Sequence, residues 1–229
     1  MQHTPYLEAN TEVALAQRKL YHAGKRTFDV TLSLLALALL SPVCALVAAL
    51  IKLDSAGPVF FRQTRLGLGG KPFTFYKFRT MQHNCDNNVH QNYVQALIRN
   101  EAPDNAGAAP EDGYKLVQDR RITRVGAILR KTSLDEIPQL FNVLKGEMSL
   151  VGPRPPLPYE VEVYQDWHKK RLDVIPGITG LWQVQGRSRV SFDEMVRMDL
   201  DYAAQSSLWL DLKIIVLTIP AVLTGSGAR

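Results

Sequence analysis

One apolar run dominates the hydrophobic pattern of the chain. Residues 30–51, VTLSLLALALLSPVCALVAALI, contain no Asp, Glu, Lys, Arg or His, and as an α-helix they extend roughly 33 Å, about one hydrocarbon thickness. The run exceeds the apolar region of a secretory signal peptide, and Val43 before Cys44 spoils a lipoprotein-type cleavage site. Its middle carries Ser41-Pro42. Proline removes one backbone donor and clashes with the carbonyl four residues back, while Ser41 brings a hydroxyl to the groups thus freed. The pattern predicts a membrane helix bent near its centre. Basic residues stand at both ends, with Arg18, Lys19, Lys25 and Arg26 before the run and Lys52, Arg62 and Arg65 after it. Lys and Arg mark the cytoplasmic side. A segment over residues 25–54 that dips into the bilayer and returns to the same face therefore explains the flanks better than one that crosses. Residues 1–24 read as an N-terminal extension, and residues 55–229 as the cytoplasmic domain.

Beyond the run, the apolar spacing changes. VFFRQ and FTFYKFR within residues 59–79 read as two strands joined through the glycine-rich GLGGKP, a hairpin. Residues 82–118 are rich in Asn, Gln and Asp and read as a long polar loop, broken by one short helix at Tyr93 to Ile98. A helix is expected from Asp135 to Lys145, stopping at Gly146. Ser191 and Glu194 form a capping box that opens a helix running to Ala204. The segment LWLDLKIIVLTIPAVL is too short and interrupted for a second span, and Trp209 with Lys213 suits a helix lying at a membrane surface. The fold class is α+β, mainly helical: a membrane-associated domain with an N-terminal re-entrant helix and a small β-hairpin.

With 229 residues the chain has material for one sizeable core. Its 27 basic against 22 acidic residues favour an anionic partner: nucleic acid, lipid headgroups or phosphorylated small molecules. No helix-turn-helix, zinc or RNA-binding signature supports nucleic acid. Cys44 and Cys85 form no disulfide framework and match no metal-ligand spacing, consistent with a reducing, cytosol-facing environment.

The cations concentrate at Arg120, Arg121, Arg124, Arg130 and Lys131, just before Asp135-Glu136. Guanidinium groups bind phosphate in bidentate fashion, although a basic face resting on anionic lipid has the same composition. Ser133-Leu134-Asp135-Glu136 fits a capping box, and so does Ser191-Phe192-Asp193-Glu194. The pattern alone does not say which pair does chemistry. The first offers a carboxylate at a helix entry, where the dipole favours negative charge and attracts a diphosphate. Such a carboxylate can attack phosphorus to give an acyl phosphate. Glu136, pointing elsewhere because helix neighbours share no face, can hold Mg²⁺ on the phosphates. Prolines on both sides of Arg154 in Val151-Gly152-Pro153-Arg154-Pro155-Pro156 present that guanidinium rigidly. The stretch from Pro176 to Arg187 mixes turn glycines with Trp182, Gln183 and Arg187, and by itself reads equally as a hairpin with a core tryptophan.

Taken together, KRTFDV, the Ser-Pro-broken apolar run, GPVFFRQTRLG, FYKFRTM, DRRITRVGAILRKTSLDEIPQLFNVLKGEMSLVGPRP, RLDVIPGITGLWQVQGR and DLDYAAQSSLWLDLKII resemble the bacterial sugar transferase family, the monotopic phosphoglycosyl transferases, over residues 25 to 217. The resemblance implies a re-entrant membrane helix at the cytoplasmic face of the bacterial inner membrane. It implies Mg²⁺ and a two-step ping-pong reaction in which a UDP-sugar leaves its sugar phosphate on an aspartate, releases UMP, and then yields the group to polyprenyl (undecaprenyl) phosphate. Such a reaction opens exopolysaccharide, O-antigen or glycoprotein glycan synthesis. It makes Asp135 the nucleophile and Glu136 the metal-associated carboxylate. Arg130, Arg154 and Arg187 become phosphate or nucleotide contacts, with Gln183, Lys77 and Asp211 as further substrate contacts, and a homodimer is compatible with it. Residues 82–118 are longer than the usual connection. Rival readings are a glycosyl transferase releasing UDP, and a membrane-tethered nucleic-acid- or lipid-binding scaffold in which Asp135 is dispensable.

Overall fold

The computed structural model describes residues 5–83, 88–99, 121–186 and 190–223. Helix α1, Pro5–Asp54, is continuous. The division expected between residues 24 and 25 is therefore not an element boundary. No proline stands between Pro5 and Pro42 to stop the helix. At Pro42 the missing N–H would have paired with the carbonyl of Ala38, and Ser41 Oγ donates to that carbonyl at 2.9 Å.

The helix is held to the rest of the molecule at two places. Lys25, Asp29 and Ser33, spaced by four residues and so on one face, are all buried. Arg26 beside them donates to the carbonyls of Val143 and Leu144. Val47 and Ile51 then pack with Phe78 and Leu129. Between these two stretches Leu34, Leu35, Leu39 and Leu46 are exposed.

Strands β1 (Phe60–Leu66) and β2 (Pro72–Phe78) form the expected antiparallel hairpin, with Phe60 opposite Phe78 and Leu66 opposite Pro72. Gly69 and Gly70 turn it with φ of 63° and 73°, a region that glycine enters without steric cost. Helix α2 (Asn88–Ile98) starts earlier than the short helix expected at Tyr93 to Ile98. Its Val94 and Ile98 enter a core cluster with Tyr164, Phe192 and Val196, so part of the polar stretch is structural. The remainder of 82–118 lies largely outside the described residues.

Helix α3 (Arg124–Thr132) is followed by a 3-10 turn, Leu134–Glu136, and by α4 (Gln139–Lys145), which ends at Gly146 as expected. Strand β3 (Ser149–Val151), the short helices α5 (Pro158–Val161) and α6 (Asp166–Lys169), and strand β4 (Gly177–Thr179) come next. β3 and β4 are parallel. The hairpin reading of the Pro176 segment fails, because β4 runs directly into α7 (Leu181–Gln185), though Trp182 is buried. Backbones approach closely here: a Cβ on Gly177 would stand 2.1 Å from Gly152 N. Helix α8 (Phe192–Gln205) opens on the expected capping box, and α9 (Leu208–Leu223) exposes Trp209, Val216 and Ile219.

Candidate active site

Asp135 and Glu136 sit where the chain reverses between α3 and α4. Helix α3 ends on Ser133, whose φ of 56° is the one positive value among the described non-glycine residues. Its side chain caps nothing, so the capping box expected at Ser133 is absent: a left-handed residue cannot supply the extended backbone of an N-cap. Nor does an α-helix begin at Asp135. The tighter 3-10 turn brings both carboxylates to one cation, contrary to the expectation that Glu136 points elsewhere. Lys77, on β2, places Nζ 3.3 Å from Asp135 Oδ2 and 2.6 Å from Glu136 Oε1.

Asp135 is 7% exposed. Burial raises its carboxyl above the usual range; Lys77 opposes that rise, Glu136 adds to it, and Arg130 opposes it. The sequence-based expectation of an aspartate kept ionised by a helix terminus is thus reversed in direction, because desolvation outweighs the partner charges. Arg130, in the last turn of α3, has a buried Nη1 with no hydrogen-bond partner.

Arg154 occupies a turn tied down through its proline carbonyls. Pro153 O accepts from Gly177 N at 2.8 Å, Pro156 O accepts from Leu66 N at 3.0 Å, and Pro155 O accepts from Arg65 Nη1. Proline offers only a carbonyl to its neighbours, and here all three are used. Pro153, Pro155 and Pro156 are buried while Arg154 between them is partly exposed. Arg65 was not among the predicted site residues. It is 5% exposed, lies 4.6 Å above the Phe75 ring, and has no carboxylate within ion-pair distance among the described residues. Burial, then the like charge of Arg154, pushes its pKa down to about 10. The only sequence signal was strand periodicity, which puts Arg62 and Arg65 on opposite faces of β1.

The other predicted residues go elsewhere. Asp211 is fully buried between Lys25 Nζ at 2.8 Å and Tyr202 hydroxyl at 2.6 Å, with Tyr21 at 3.4 Å, and so locks α9 to α1. Gln183 reaches the carbonyl of Ile178 at 3.4 Å. Arg187 lies outside the described residues. In the second Asp-Glu pair, Asp193 meets buried His168 at 3.1 Å and Glu194 accepts from Ser191 N at 2.8 Å. A polar cleft of about 620 Å³ between the end of α1 and the start of α3 does not include Asp135. Its Asp54 accepts from Val125 N and staples the two helices together.

Two carboxylates converging on one ammonium fit Mg²⁺, which takes one or two protein carboxylates and completes its shell with phosphate oxygens and water. Among the described residues no group of three or more His, Cys, Asp or Glu could cage a metal alone.

Residues 20–225 match the bacterial sugar transferase family. The exopolysaccharide production protein ExoY of Sinorhizobium fredii is 43% identical over 207 residues, covering 90% of this chain and 88% of that protein. The undecaprenyl-phosphate galactose phosphotransferase of Salmonella typhimurium is 44% identical over 204 residues, 89% of this chain and 41% of the relative. The UDP-glucose:undecaprenyl-phosphate glucose-1-phosphate transferase of Caulobacter vibrioides is 43% identical over 216 residues, 89% and 71% of the two chains. The chain spans less than half the length of the Salmonella protein. Since the match spans most of the long apolar helix, the hairpin, the Asp135 turn and the Arg154 turn, the chain belongs to the bacterial sugar transferases.

Proposed function

We propose that this transferase moves a sugar 1-phosphate from a UDP-sugar to polyprenyl phosphate through a covalent intermediate on Asp135. The observation that carries the reading is a buried aspartate and a second carboxylate on one turn, met by a lysine from β2 and preceded in α3 by an arginine with an unsatisfied nitrogen. A carboxylate Oδ of Asp135 attacks the sugar-bearing phosphorus; a P–O bond forms, the bridging P–O bond breaks, and UMP leaves with the electron pair. An oxygen of polyprenyl phosphate then attacks the same phosphorus, the acyl phosphate bond breaks, and the Asp135 carboxylate is restored. Lys77 keeps enough of Asp135 ionised to attack, and Arg130 offers donors to charge growing on the transferring group. Mg²⁺ held by Glu136 and Asp135 would supply Lewis-acid neutralisation of the diphosphate.

Geometry supports re-entry of α1. Its buried stretches, ending at Ser33 and resuming at Val47, rest on the same domain. The thirteen residues between them, 34–46, extend about 20 Å as helix, short of the ~30 Å hydrocarbon core. Ser41-Pro42 lies near their midpoint. Val43 and Cys44, next along the helix, pack in the cluster that holds Leu134 and Ile137, the neighbours of the Asp135-Glu136 pair. The Asp135 turn is thereby packed beside the stretch of α1 that follows Ser41-Pro42, where a lipid-borne phosphate would arrive. Incubating the enzyme with a UDP-sugar labelled in its β-phosphate, without the lipid, should leave label on the protein; adding polyprenyl phosphate should discharge it. UDP release in place of UMP would overturn the reading.

A further inference from the structure

We propose that Arg65 is a positioning residue that fixes Arg154 as the receptor for the phosphate of the departing nucleotide; this rests on the function proposed above.

Arg65 is a buried charge without a carboxylate in contact among the described residues. A buried guanidinium normally has a carboxylate beside it, because leaving the charge unpaired in a low-dielectric interior is costly. Arg65 has none within ion-pair distance among the described residues; Glu160 and Glu136 favour its charge from farther off, while the like charge of Arg154 opposes it. Its Nε is buried without a hydrogen-bond partner. Bonded to the carbonyl of Pro155, the residue after Arg154, Arg65 puts two cations on one turn, and the ligand class that suits them is a phosphate dianion.

Arg65 itself is not the receptor. It is 5% exposed, and its two terminal nitrogens are occupied by Pro155 O and Gln63 Oε1. Its bond to Pro155 holds the carbonyl next to Arg154, and the following residue of the same strand, Leu66, holds the carbonyl of Pro156. Strand β1 thus grips the turn twice, at the two residues that follow Arg154. Arg154 makes no hydrogen bond or ion pair among the described residues, so its donors are available. Glu136 also falls within the field of Arg65. Arg65 and Lys77 both lie against the Phe75 ring, at 4.6 and 5.8 Å, and Lys77 holds the carboxylate pair, so the Arg154 turn that Arg65 grips is placed for the second phosphate of a diphosphate whose first lies on Asp135.

The test compares the full chain in a membrane mimetic with its Arg65→Met, Arg65→Lys, Arg154→Ala and Arg65→Met/Arg154→Ala variants. UMP binding to the resting enzyme is measured directly, and discharge of labelled enzyme by polyprenyl phosphate is timed separately. Arg154→Ala and Arg65→Met should each weaken UMP by about ten- to a hundredfold, the range for a lost hydrogen bond to a charged group. The double variant should be no weaker than Arg154→Ala alone. Discharge, which takes place after UMP has left, should keep its rate in Arg65→Met. Additive losses, or equal slowing of discharge, would make Arg65 a general structural residue and overturn the proposal. If Arg65→Met does not fold, Arg65→Lys carries the test: it keeps charge but lacks the fork that grips the turn, and undiminished UMP binding in it counts against the inference. Failure of the wild type to trap label would reject the covalent reading, whereas the UMP measurements stand apart from it.

Discussion

Ser133-Leu134-Asp135-Glu136 and Ser191-Phe192-Asp193-Glu194 are nearly the same tetrapeptide, yet the fold makes them opposites. Ser191 has extended backbone, with φ −64° and ψ 164°, accepts from Glu194 N, and receives the Glu194 carboxylate in return. That is a closed capping box on a solvent-facing helix start. Ser133 stands at φ 56°, caps nothing, and leaves its acids to find partners across the chain at Lys77. Local satisfaction makes the second pair structural. Denial of local satisfaction makes the first pair available for chemistry.

The sharpest way to break this comparison is to neutralise each aspartate. Asp135→Asn keeps size while removing the proposed nucleophile, so UMP release should fall by several orders of magnitude, on the scale of about 10⁴ or more for lost covalent chemistry. Asp193→Asn removes a partner of His168 and should leave turnover close to wild type. An active Asp135→Asn enzyme, or an inactive but folded Asp193→Asn enzyme, would reverse the assignment.

A second contrast lies in pH, and its sign differs between the pairs. In metal-free protein the Asp135 carboxyl titrates above its unfolded value, so its contribution to stability is complete below the ordinary aspartate pKa and is lost as pH rises through the raised folded value. Asp135→Asn, which mimics the neutral acid, should therefore gain on wild type as pH rises through that window. Lys77→Met should push the upper end of the window higher, since Lys77 lowers the Asp135 pKa. Glu194 behaves inversely. Its hydrogen bonds to Ser191 hold its pKa below the usual range, so its contribution is present above the unfolded value and lost as pH falls through the folded one. Denaturant midpoints of wild type, Asp135→Asn, Lys77→Met and Glu194→Gln across acidic pH would show both trends, and a parallel response of the two pairs would defeat the comparison.

How much of this was legible in the sequence depends on whether the determining interaction is local. The capping box at Ser191, the glycine turn of the hairpin and the stop at Gly146 depend on neighbours a few residues away, and patterns of that range are readable. The long apolar helix was legible for the same reason, because its length and composition are its own. The Asp135 turn was not, since its geometry depends on Lys77 from another element and on the packing of Leu134 and Ile137 against α1. Asp211, a substrate contact by the family resemblance alone, is tied to Lys25, 186 residues distant along the chain. Arg65 carried no local signal beyond strand alternation. Its meaning appears only once Arg154 is beside it.

The smallest expected effects test the cause of the divergence, the two serines. Ser191→Ala deletes the oxygen that accepts from Glu194 N and should cost about 1 kcal/mol of stability, the usual value of such a cap. Ser133→Ala deletes an oxygen that caps nothing and should cost little from that source. Ser133→Gly should go further, because a left-handed φ is penalised for a residue with a Cβ and free for glycine. The greater freedom of glycine in the unfolded chain offsets part of the gain, so the net change should be a stabilisation of roughly a few tenths of a kcal/mol. Activity discriminates again. Ser133→Gly leaves the turn and its two carboxylates in place, so UMP release should persist. Matching losses of stability in Ser133→Ala and Ser191→Ala would mean that the Ser133 hydroxyl caps the Asp135 turn after all. The two tetrapeptides would then differ by what surrounds them and not by how each begins.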